Sequence, residues 1–246
     1  MSGILYMVPT PVGNLSDMSP RAVETLKNCD LVLAEDTRNS GLLLKHFDID
    51  TPLASHHKFN EHNTINPFAD RIAAGENIAL ITDAGTPGIS DPGFMLSREC
   101  RKRGLRVVTL PGPTAFVPAL VDSGLPCERF CFEGFLPVKK GRATRLGEIA
   151  SEERTSIIYE SPVRLVKTLC QLAEYCGPER EASVSREISK LHETTVRGTL
   201  IELMEFFSEN PPKGEIVIIL SGNPNSRVKQ VHKNKYKDDD DSSVSL

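Results

Sequence analysis

Residues 78–93 read IALITDAGTPGISDPG, and this stretch decides the fold. Its first four residues are apolar, which is typical of a buried strand in a parallel sheet. Three glycines and two prolines follow, too many for a regular element, so a loop is predicted at the carboxyl end of the strand. Asp83 lies in this loop, where open α/β sheets bind their ligands and glycines let main-chain N–H groups approach a bound molecule. The structural alternative is a tight strand-to-helix connection with Asp83 as a turn former.

The same pattern recurs through the first half of the chain. Residues 4–8, 31–34 and 105–110 are further short apolar runs. Ser19 before Pro20 is a helix-start signal, and alternating strands and helices predict a mostly parallel sheet. Asp91 before Pro92 carries the same signal, which predicts a helix that starts there and makes Asp91 an N-cap. Four strand-end loops have unusual chemistry and should lie along one edge; they read PTPVGN, AEDTR, TDAGTPG and LPGPTA.

The second half predicts a separate α/β unit. The segment GLPC at residues 124–127 indicates a boundary, which gives an N-terminal domain at 1–124 and a C-terminal domain at 125–222. Consecutive strands predicted at 181–186 and 190–197 favour an antiparallel portion, and therefore a mixed sheet. Residues 223–246 are polar, lysine-rich and then acidic, which predicts a disordered charged tail.

Composition excludes several classes of protein. A hydrophobic content of 39% with 25% charged residues is that of an ordinary soluble globular protein. The sequence shows no membrane span and no signal peptide, so a cytoplasmic protein is expected. Six cysteines form no C-x-x-C pair, and three nearby histidines, at residues 56, 57 and 62, share no face, so no metal is expected. The net charge of −4 does not indicate nucleic-acid binding, and a polyanion would have to meet a local basic patch.

Motif spacing tests the common ligand classes. The chain has no G-x-G-x-x-G after its first strand, no G-x-x-x-x-G-K-[ST] and no G-x-S-x-G. Dinucleotides, P-loop nucleotides and the hydrolase nucleophile are therefore disfavoured. A pocket lined by glycine and proline with one well-placed acid remains, and it suits a small molecule held largely by main-chain groups.

Nine segments carry a resemblance to a known family. In chain order they read VPTPVGNL, AEDTR, HKFNE, TDAGTPGISDPG, LPGPTA, FEGFLP, KKGR, YESPVR and REISKLHE. Together they resemble the branch of the tetrapyrrole-methylase superfamily that methylates the ribose 2′-hydroxyl of a cytidine in 16S rRNA of the small ribosomal subunit. The resemblance spans roughly residues 4–221. PTPVG replaces the glycine-rich first loop of other members, which points away from porphyrin substrates.

This resemblance implies the fold, the cofactor and the partners. It implies two α/β domains, S-adenosylmethionine in the cleft between them, a homodimer, and the 30S subunit or its rRNA as substrate. The implied cofactor-binding residues are Pro11, Asp83, Ala84, Gly85, Thr86, Thr114, Ala115, Tyr159, Glu160, Arg186 and Gly214. Longer members continue into a C-terminal helical module that this sequence does not match, so RNA docking is expected to use another surface.

Methyl transfer to a hydroxyl depends mainly on alignment, and a base that takes the hydroxyl proton helps further. The candidate bases are Glu35, Asp36, His57, Glu187 and Lys190. The sequence does not choose among them, and we take Asp36, Glu187 and Lys190 as the catalytic candidates. The expected RNA contacts are Arg38, His57, Asn60, Lys139, Lys140 and Arg142.

Two other functions stay open at this point. One is a methyltransferase of the same fold that acts on a tetrapyrrole or another small molecule. The other is a non-catalytic, ribosome-associated RNA-binding protein. The basic segment KKGR also has a structural alternative, a solvated helix start.

Overall fold

Two five-stranded sheets with packed helices form residues 2–224, the part of the chain that this computed structural model describes. The predicted disordered tail, apart from Asn223 and Pro224, lies outside the described residues. None of the helices in 2–224 is long and apolar enough to cross a membrane.

The first sheet is entirely parallel, with strand order β3-β2-β4-β1-β5. Its strands are β1 (Ile4–Met7), β2 (Leu31–Ala34), β3 (Leu53–Ser55), β4 (Ile78–Leu80) and β5 (Arg106–Thr109). Its helices are α1 (Pro20–Lys27), α2 (Thr37–His46), α3 (Glu61–Ala73) and α4 (Phe94–Lys102). The apolar runs of the sequence are the central strands, because helices cover both faces of the sheet. Leu5 and Leu33 are fully buried on one face, and Val32 and Ala79 on the other.

The strand order places the loops after β1 and β4 side by side. Thr10 and Gly85 exchange two main-chain hydrogen bonds of 2.9 Å each, and the Thr10 hydroxyl donates to the carbonyl of Thr82 at 2.9 Å. From β1 the chain continues to β2 on one side, and from β4 it continues to β5 on the other side. Such a switch point in an open α/β sheet is where ligands bind.

The second sheet is mixed, with order β6-β7-β10-β8-β9, in which only β6 and β7 pair in parallel. Its strands are β6 (Phe130–Phe135), β7 (Thr155–Glu160), β8 (Glu181–Arg186), β9 (Thr194–Thr199) and β10 (Ile216–Leu220). The helices of this half are α5 (Phe116–Ser123), α6 (Arg142–Ser151), α7 (Leu165–Cys176) and α8 (Leu200–Glu209). The predicted fold class, a parallel sheet followed by a mixed one, is confirmed.

Helix α5 packs on the second sheet, although it precedes the predicted boundary at residue 124. Ala119 and Leu120 are buried against Ile157, Val217 and Ile219. The chain therefore passes from one sheet to the other before α5, and the domain limits 1–124 and 125–222 stay a prediction.

The loop after β4 corrects one local expectation. Helix α4 begins at Phe94 with Gly93 at the cap position, so the prediction that Asp91 is an N-cap is wrong. The N–H of Gly88 donates to the carbonyl of Pro92 at 3.1 Å, which keeps this segment in a loop. Gly93 has a φ of +127°, and a Cβ there would lie 2.9 Å from Met7 Cε. The loop is thus closed against the sheet before the helix starts.

Candidate active site

A cavity of about 370 Å³ lies between loops of the two sheets. One side is formed by the segments that follow β1, β2, β4 and β5, so all four unusual strand-end loops contribute to it. The other side is formed by the ends of β6 and β7, the loop after β8 and the start of β10. Its volume falls in the range of small-molecule sites, roughly 300–1,000 Å³.

The structure brings most of the expected cofactor-binding residues to this cavity. Those that line it are Asp83, Ala84, Gly85, Thr86, Thr114, Ala115, Tyr159, Glu160 and Gly214. Pro11 instead lines an adjoining smaller cavity, together with Thr82 and Asp83. Arg186 lies outside the lining, and its guanidinium donates to the carbonyl of Lys213 at 3.4 Å. The cofactor role of each residue stays a prediction.

Five carboxylates line the cavity: Glu35, Asp83, Asp91, Glu160 and Glu215. Burial, together with the negative charges of Glu35, Asp83 and Glu215, raises the pKa of Asp91 to about 7. Burial and the charge of Asp83 also raise the pKa of Glu35, although His57 opposes this. Among residues 2–224 no group of three or more His, Cys, Asp or Glu side chains is arranged to hold a metal ion. The carboxylates of the cavity favour a ligand that carries positive charge or hydroxyl donors.

Tyr159 joins the two sides of the cavity. Its ring packs edge-on against Phe132 and Phe135, with centroid distances of 5.1 and 5.6 Å. Its hydroxyl interacts with the Thr114 side chain and the main chain of Phe116, and burial raises its pKa. A residue of β7 thus fixes the loop after β5, which holds one wall in place relative to the other.

Glu160 lines the cavity and is held by a buried polar network. Its carboxylate accepts hydrogen bonds from Arg164 Nε and Thr168 Oγ1, both at 2.7 Å. Thr168 in turn accepts a bond of 2.7 Å from Arg142, which also donates to Gln171 Oε1 at 2.8 Å. With 8% of its surface exposed and its donors occupied, Arg142 belongs to the fold. Its role as an RNA contact stays a prediction, which this burial disfavours.

Glu187 and Lys190 lie beside the cavity and outside its lining. Lys190 Nζ is 3.0 Å from Glu187 Oε1 and 3.0 Å from Glu215 Oε2. Partial burial lowers the pKa of Lys190, but these bonds outweigh it and the pKa is raised; the bond to Lys190 lowers the pKa of Glu187. Both side chains are therefore held in their charged forms. Glu187 and Lys190 are therefore better suited to holding Glu215 in position than to acting as a base.

Asp36 is engaged in capping α2. It accepts hydrogen bonds from the main-chain N–H, Nε and a terminal nitrogen of Arg38 at 2.9, 3.0 and 2.7 Å. These bonds lower its pKa to about 2. A carboxylate so weakly basic is a poor acceptor for a hydroxyl proton, and Asp36 does not line the cavity. A catalytic role for Asp36 stays a prediction, and its engagement as a helix cap disfavours it.

The remaining expected RNA contacts lie in two turns and at the start of α2. Asn60 Oδ1 accepts from the N–H of His57 at 2.7 Å, and Asn60 Nδ2 donates to Ser55 at 3.2 Å, so both residues shape the turn before α3. Lys139 and Lys140 are exposed in the turn before α6, and Arg38 is exposed at the start of α2. Contact with RNA stays a prediction for all five residues.

Several lining residues escaped sequence reasoning. They are Val12, Ile89, Ser90, Asp91, Phe135, Ser161, Pro162, Ile188, Glu215, Ile216 and Val217. Most adjoin a predicted residue, so extending each strand-end loop by a few positions would have found them. Ile188 is different because it lies between Glu187 and Ser189, whose φ values of +53° and +64° are not readable from the sequence.

Residues 4–204 match the family described as tetrapyrrole (corrin/porphyrin) methylases. The chain belongs to this family. Three curated relatives are named ribosomal RNA small subunit methyltransferase I. The Synechocystis protein is 51% identical over 221 residues, which cover 89% of this chain and 79% of that protein. The Escherichia coli O157:H7 protein is 48% identical, with 89% and 78% covered, and the Thermotoga maritima protein is 42% identical, with 89% and 99% covered.

Solved structures of other methylases share the fold. Diphthine synthase superposes with a TM-score of 0.69 at 12% identity, covering 89% of this chain and 90% of that one. Uroporphyrin-III C-methyltransferase from Thermus thermophilus, complexed with S-adenosyl homocysteine, gives 0.61 at 18% identity, covering 92% and 100%. At these identities the structures speak for the fold alone. The resemblance inferred from nine segments is confirmed for this tetrapyrrole methylase.

Proposed function

We propose that this tetrapyrrole methylase is an S-adenosylmethionine-dependent methyltransferase that modifies small-subunit ribosomal RNA. Its acceptor is the ribose 2′-hydroxyl of a cytidine in 16S rRNA. The observation that carries the proposal is the carboxylate-lined cavity between the sheets, built from the segments that resemble this branch of the family. The 42–51% identity to curated rRNA methyltransferases supports the same substrate class.

The residues of the cavity fit the cofactor. The loop from Asp83 to Thr86 offers a carboxylate and main-chain groups, and Gly85, at a φ of +83°, leaves room for close approach. Ile188 and Val217 offer apolar surface for a planar base. When bound, S-adenosylmethionine supplies a methyl group attached to a cationic sulfur. The surrounding carboxylates stabilise that positive charge, and no metal is required.

The chain's contribution is mainly orientation. Two walls held together by Tyr159 and Thr114 fix the geometry in which an acceptor hydroxyl meets the methyl group, and alignment contributes on the order of 7–11 kcal/mol in favourable cases. Arg38 is exposed shortly after β2, and Lys139 and Lys140 are exposed shortly after β6. Both strands lead into residues that line the cavity, and such cations suit phosphate contacts.

Labelled S-adenosylmethionine tests the proposal directly. The full chain is incubated with undermethylated 30S particles or with bare rRNA, and the labelled nucleotide is mapped. We expect label on one cytidine, at a position where the adjacent phosphodiester resists alkaline cleavage because the 2′-hydroxyl is blocked. Absence of label on both RNA substrates would remove the proposal. Label on uroporphyrinogen would instead identify a small-molecule methylase, and RNA binding without transfer would identify a non-catalytic protein.

Asp83 is the residue whose loss should affect cofactor binding most. Replacing Asp83 with Ala removes a charged hydrogen-bond acceptor, and we expect roughly 10- to 150-fold weaker binding, the equivalent of about 1.5–3 kcal/mol. Isothermal titration calorimetry with S-adenosylmethionine measures this. The matched control is Asp50→Ala, because Asp50 is exposed and lies outside the cavity. Unchanged affinity in Asp83→Ala would show that the cofactor binds elsewhere.

We also infer a homodimer, a cytoplasmic location and docking on the 30S subunit, as the family resemblance implies. Light scattering after size-exclusion chromatography measures the first: a mass near twice 27.1 kDa is expected. A mass of one chain across the micromolar range would contradict the homodimer without affecting the proposed chemistry.

A further inference from the structure

Asp91 lies where groups from both sheets act on it. Glu35 follows β2, Asp83 follows β4 and Glu215 precedes β10, and the negative charges of all three reach the Asp91 carboxyl. Asp91 in turn raises the pKa of Tyr159 on β7. Asp91 is therefore positioned within the cavity, among the surrounding carboxylates and opposite the aromatic wall.

The loop that carries Asp91 is fixed at several points. Ser90 adopts a φ of +66°, which is rare for a residue with a side chain and is often found at functional sites. Its Oγ lies 3.2 Å from where a Cβ would stand at Gly134, the site of a bulge in β6. On the other side of Asp91, the N–H of Gly93 donates to Glu61 Oε1 at 3.2 Å. The carboxylate is thus held on a constrained segment that touches the opposite wall.

The Asp91 carboxylate accepts no hydrogen bond from any residue in 2–224, although it is partly buried. Three of the neighbouring carboxylates differ in this respect or in burial. Glu215 accepts from Lys190, Glu160 accepts from Arg164, and Asp83 is exposed. Glu35 is also without a donor among these residues, but His57 opposes the rise of its pKa, and no positive group is found to do so at Asp91. A partly buried carboxylate without a donor is unfavourable, so Asp91 fits a donor that arrives with the ligand.

We propose that Asp91 is the catalytic residue that accepts the hydrogen bond, and then the proton, of the acceptor ribose 2′-hydroxyl. This assignment rests on the function proposed above. The 2′-oxygen forms a bond to the methyl carbon as the carbon–sulfur bond breaks, and the electron pair of that bond stays on sulfur. The hydroxyl proton moves to the Asp91 carboxylate and leaves to solvent through the open cavity. A carboxyl with a pKa of about 7 is efficient in this role, because proton acceptors work best when their pKa lies near the operating pH.

Asp91→Asn separates chemistry from binding. Single-turnover methylation of the mapped RNA at saturating S-adenosylmethionine should slow by roughly 10²–10⁴-fold. Affinities for S-adenosylhomocysteine and for the RNA, measured by calorimetry and filter binding, should stay within about threefold, because neither is expected to depend on the carboxylate charge. Asp50→Asn, outside the cavity, is the control for the purified variants.

The pH dependence supplies a second readout. The wild-type single-turnover rate should rise tenfold per pH unit and level off near pH 7, and Asp91→Asn should lose this break. Glu35→Gln should retain the break but move it to lower pH, because a negative charge that raises the pKa of Asp91 is gone. The other charges that face Asp91, those of Asp83, Glu215 and, at high pH, Tyr159, are unchanged in that variant.

Three results would overturn the assignment. An Asp91→Asn rate equal to that of the wild type would exclude Asp91 as the base, and tenfold weaker binding of S-adenosylhomocysteine would place Asp91 in the cofactor site instead. If Asp91→Asn does not fold, the pH profile of Glu35→Gln decides. A break in the rate at the same pH as in the wild type would exclude Asp91 as the base. A wild-type protein that methylates no RNA is a different outcome, since it removes the proposed function itself.

Discussion

Asp91 is a residue that the fold destabilises in its charged form, and this has a measurable effect on stability. Its pKa rises from 3.8 to about 7, so the folded protein holds the proton more strongly than the unfolded chain does. The free energy of unfolding therefore falls as pH rises between these values, and the loss is complete above about pH 7. Asp91→Asn is exempt from this loss.

We expect the stability advantage of Asp91→Asn over the wild type to grow between pH 4 and pH 8. Urea denaturation of both proteins at a series of pH values measures the difference. An advantage that stays constant across this range would show that Asp91 titrates normally in the folded protein. A gain in stability from a substitution that removes activity is typical of functional residues.

Gly214 is a residue whose missing side chain shapes the cavity wall. A Cβ at this position would overlap the Glu187 carboxylate, and the backbone has a φ of +88°. Gly214→Ala should therefore cost at least about 1–2 kcal/mol in stability and displace the bonds among Glu187, Lys190 and Glu215. Weaker S-adenosylmethionine binding should accompany it.

Gly147→Ala is the matched control for Gly214→Ala. Gly147 lies exposed within α6, and a Cβ there meets no atom within 4 Å. Alanine should stabilise that helix by up to about 1 kcal/mol. If both variants behave alike in thermal unfolding and calorimetry, the close approach of Gly214 to Glu187 contributes neither to stability nor to cofactor binding.

At the scale of elements, the start of α6 carries one buried cation with a structural role, Arg142, next to exposed ones. Arg142→Met removes the donors to Thr168, Gln171 and the carbonyl of Pro137, and we expect a loss of roughly 1–3 kcal/mol. Lys140→Met should change stability by no more than about 0.5 kcal/mol, because Lys140 is exposed. Chemical denaturation of both variants decides; equal stability would return Arg142 to the group of free surface cations.

Elements were predictable from the sequence where one strong pattern acts alone. The apolar runs of β1, β2 and β4 have no other use than burial, so they were found within a residue or two. The short strand β3 was missed because its three residues are only partly buried and carry no such run. The Asp91-Pro92 pair looked like a helix start because capping preferences are local, whereas the bond from Gly88 to Pro92 that overrides them is set by the loop as a whole.

At the scale of the whole molecule, the loops at the carboxyl edge of the first sheet were more predictable from the sequence than the contacts between the two halves. Parallel strands must end on a common side, so the convergence of Asp83, Thr114 and their neighbours followed from topology. The join depends on contacts between distant segments, such as the Ser189 hydroxyl to Asp17 Oδ2 at 2.9 Å, and Lys190 packed against Gly13. No local pattern indicates such pairs, which is why Ile188 escaped prediction.

Charge distribution over the whole molecule gives the last prediction. A chain of net charge −4 with a carboxylate-lined cavity repels bulk RNA, so binding must rest on a few exposed cations. If Arg38, Lys139 and Lys140 each contact one phosphate, replacing all three with Met should reduce the slope of log affinity against log salt by about 2. Filter binding of 16S rRNA fragments between 50 and 200 mM salt, about the range over which such slopes are read, measures it.

The control for this triple variant uses cations at the opposite edge of the first sheet. Each precedes a strand and therefore lies near its amino end: Lys27, Lys45 and Lys102. Their replacement lowers the net charge by the same three units and should leave the slope within about 0.5. Equal slopes for the two triple variants would mean that RNA binding depends on total charge alone. That result would contradict RNA docking at the cavity edge.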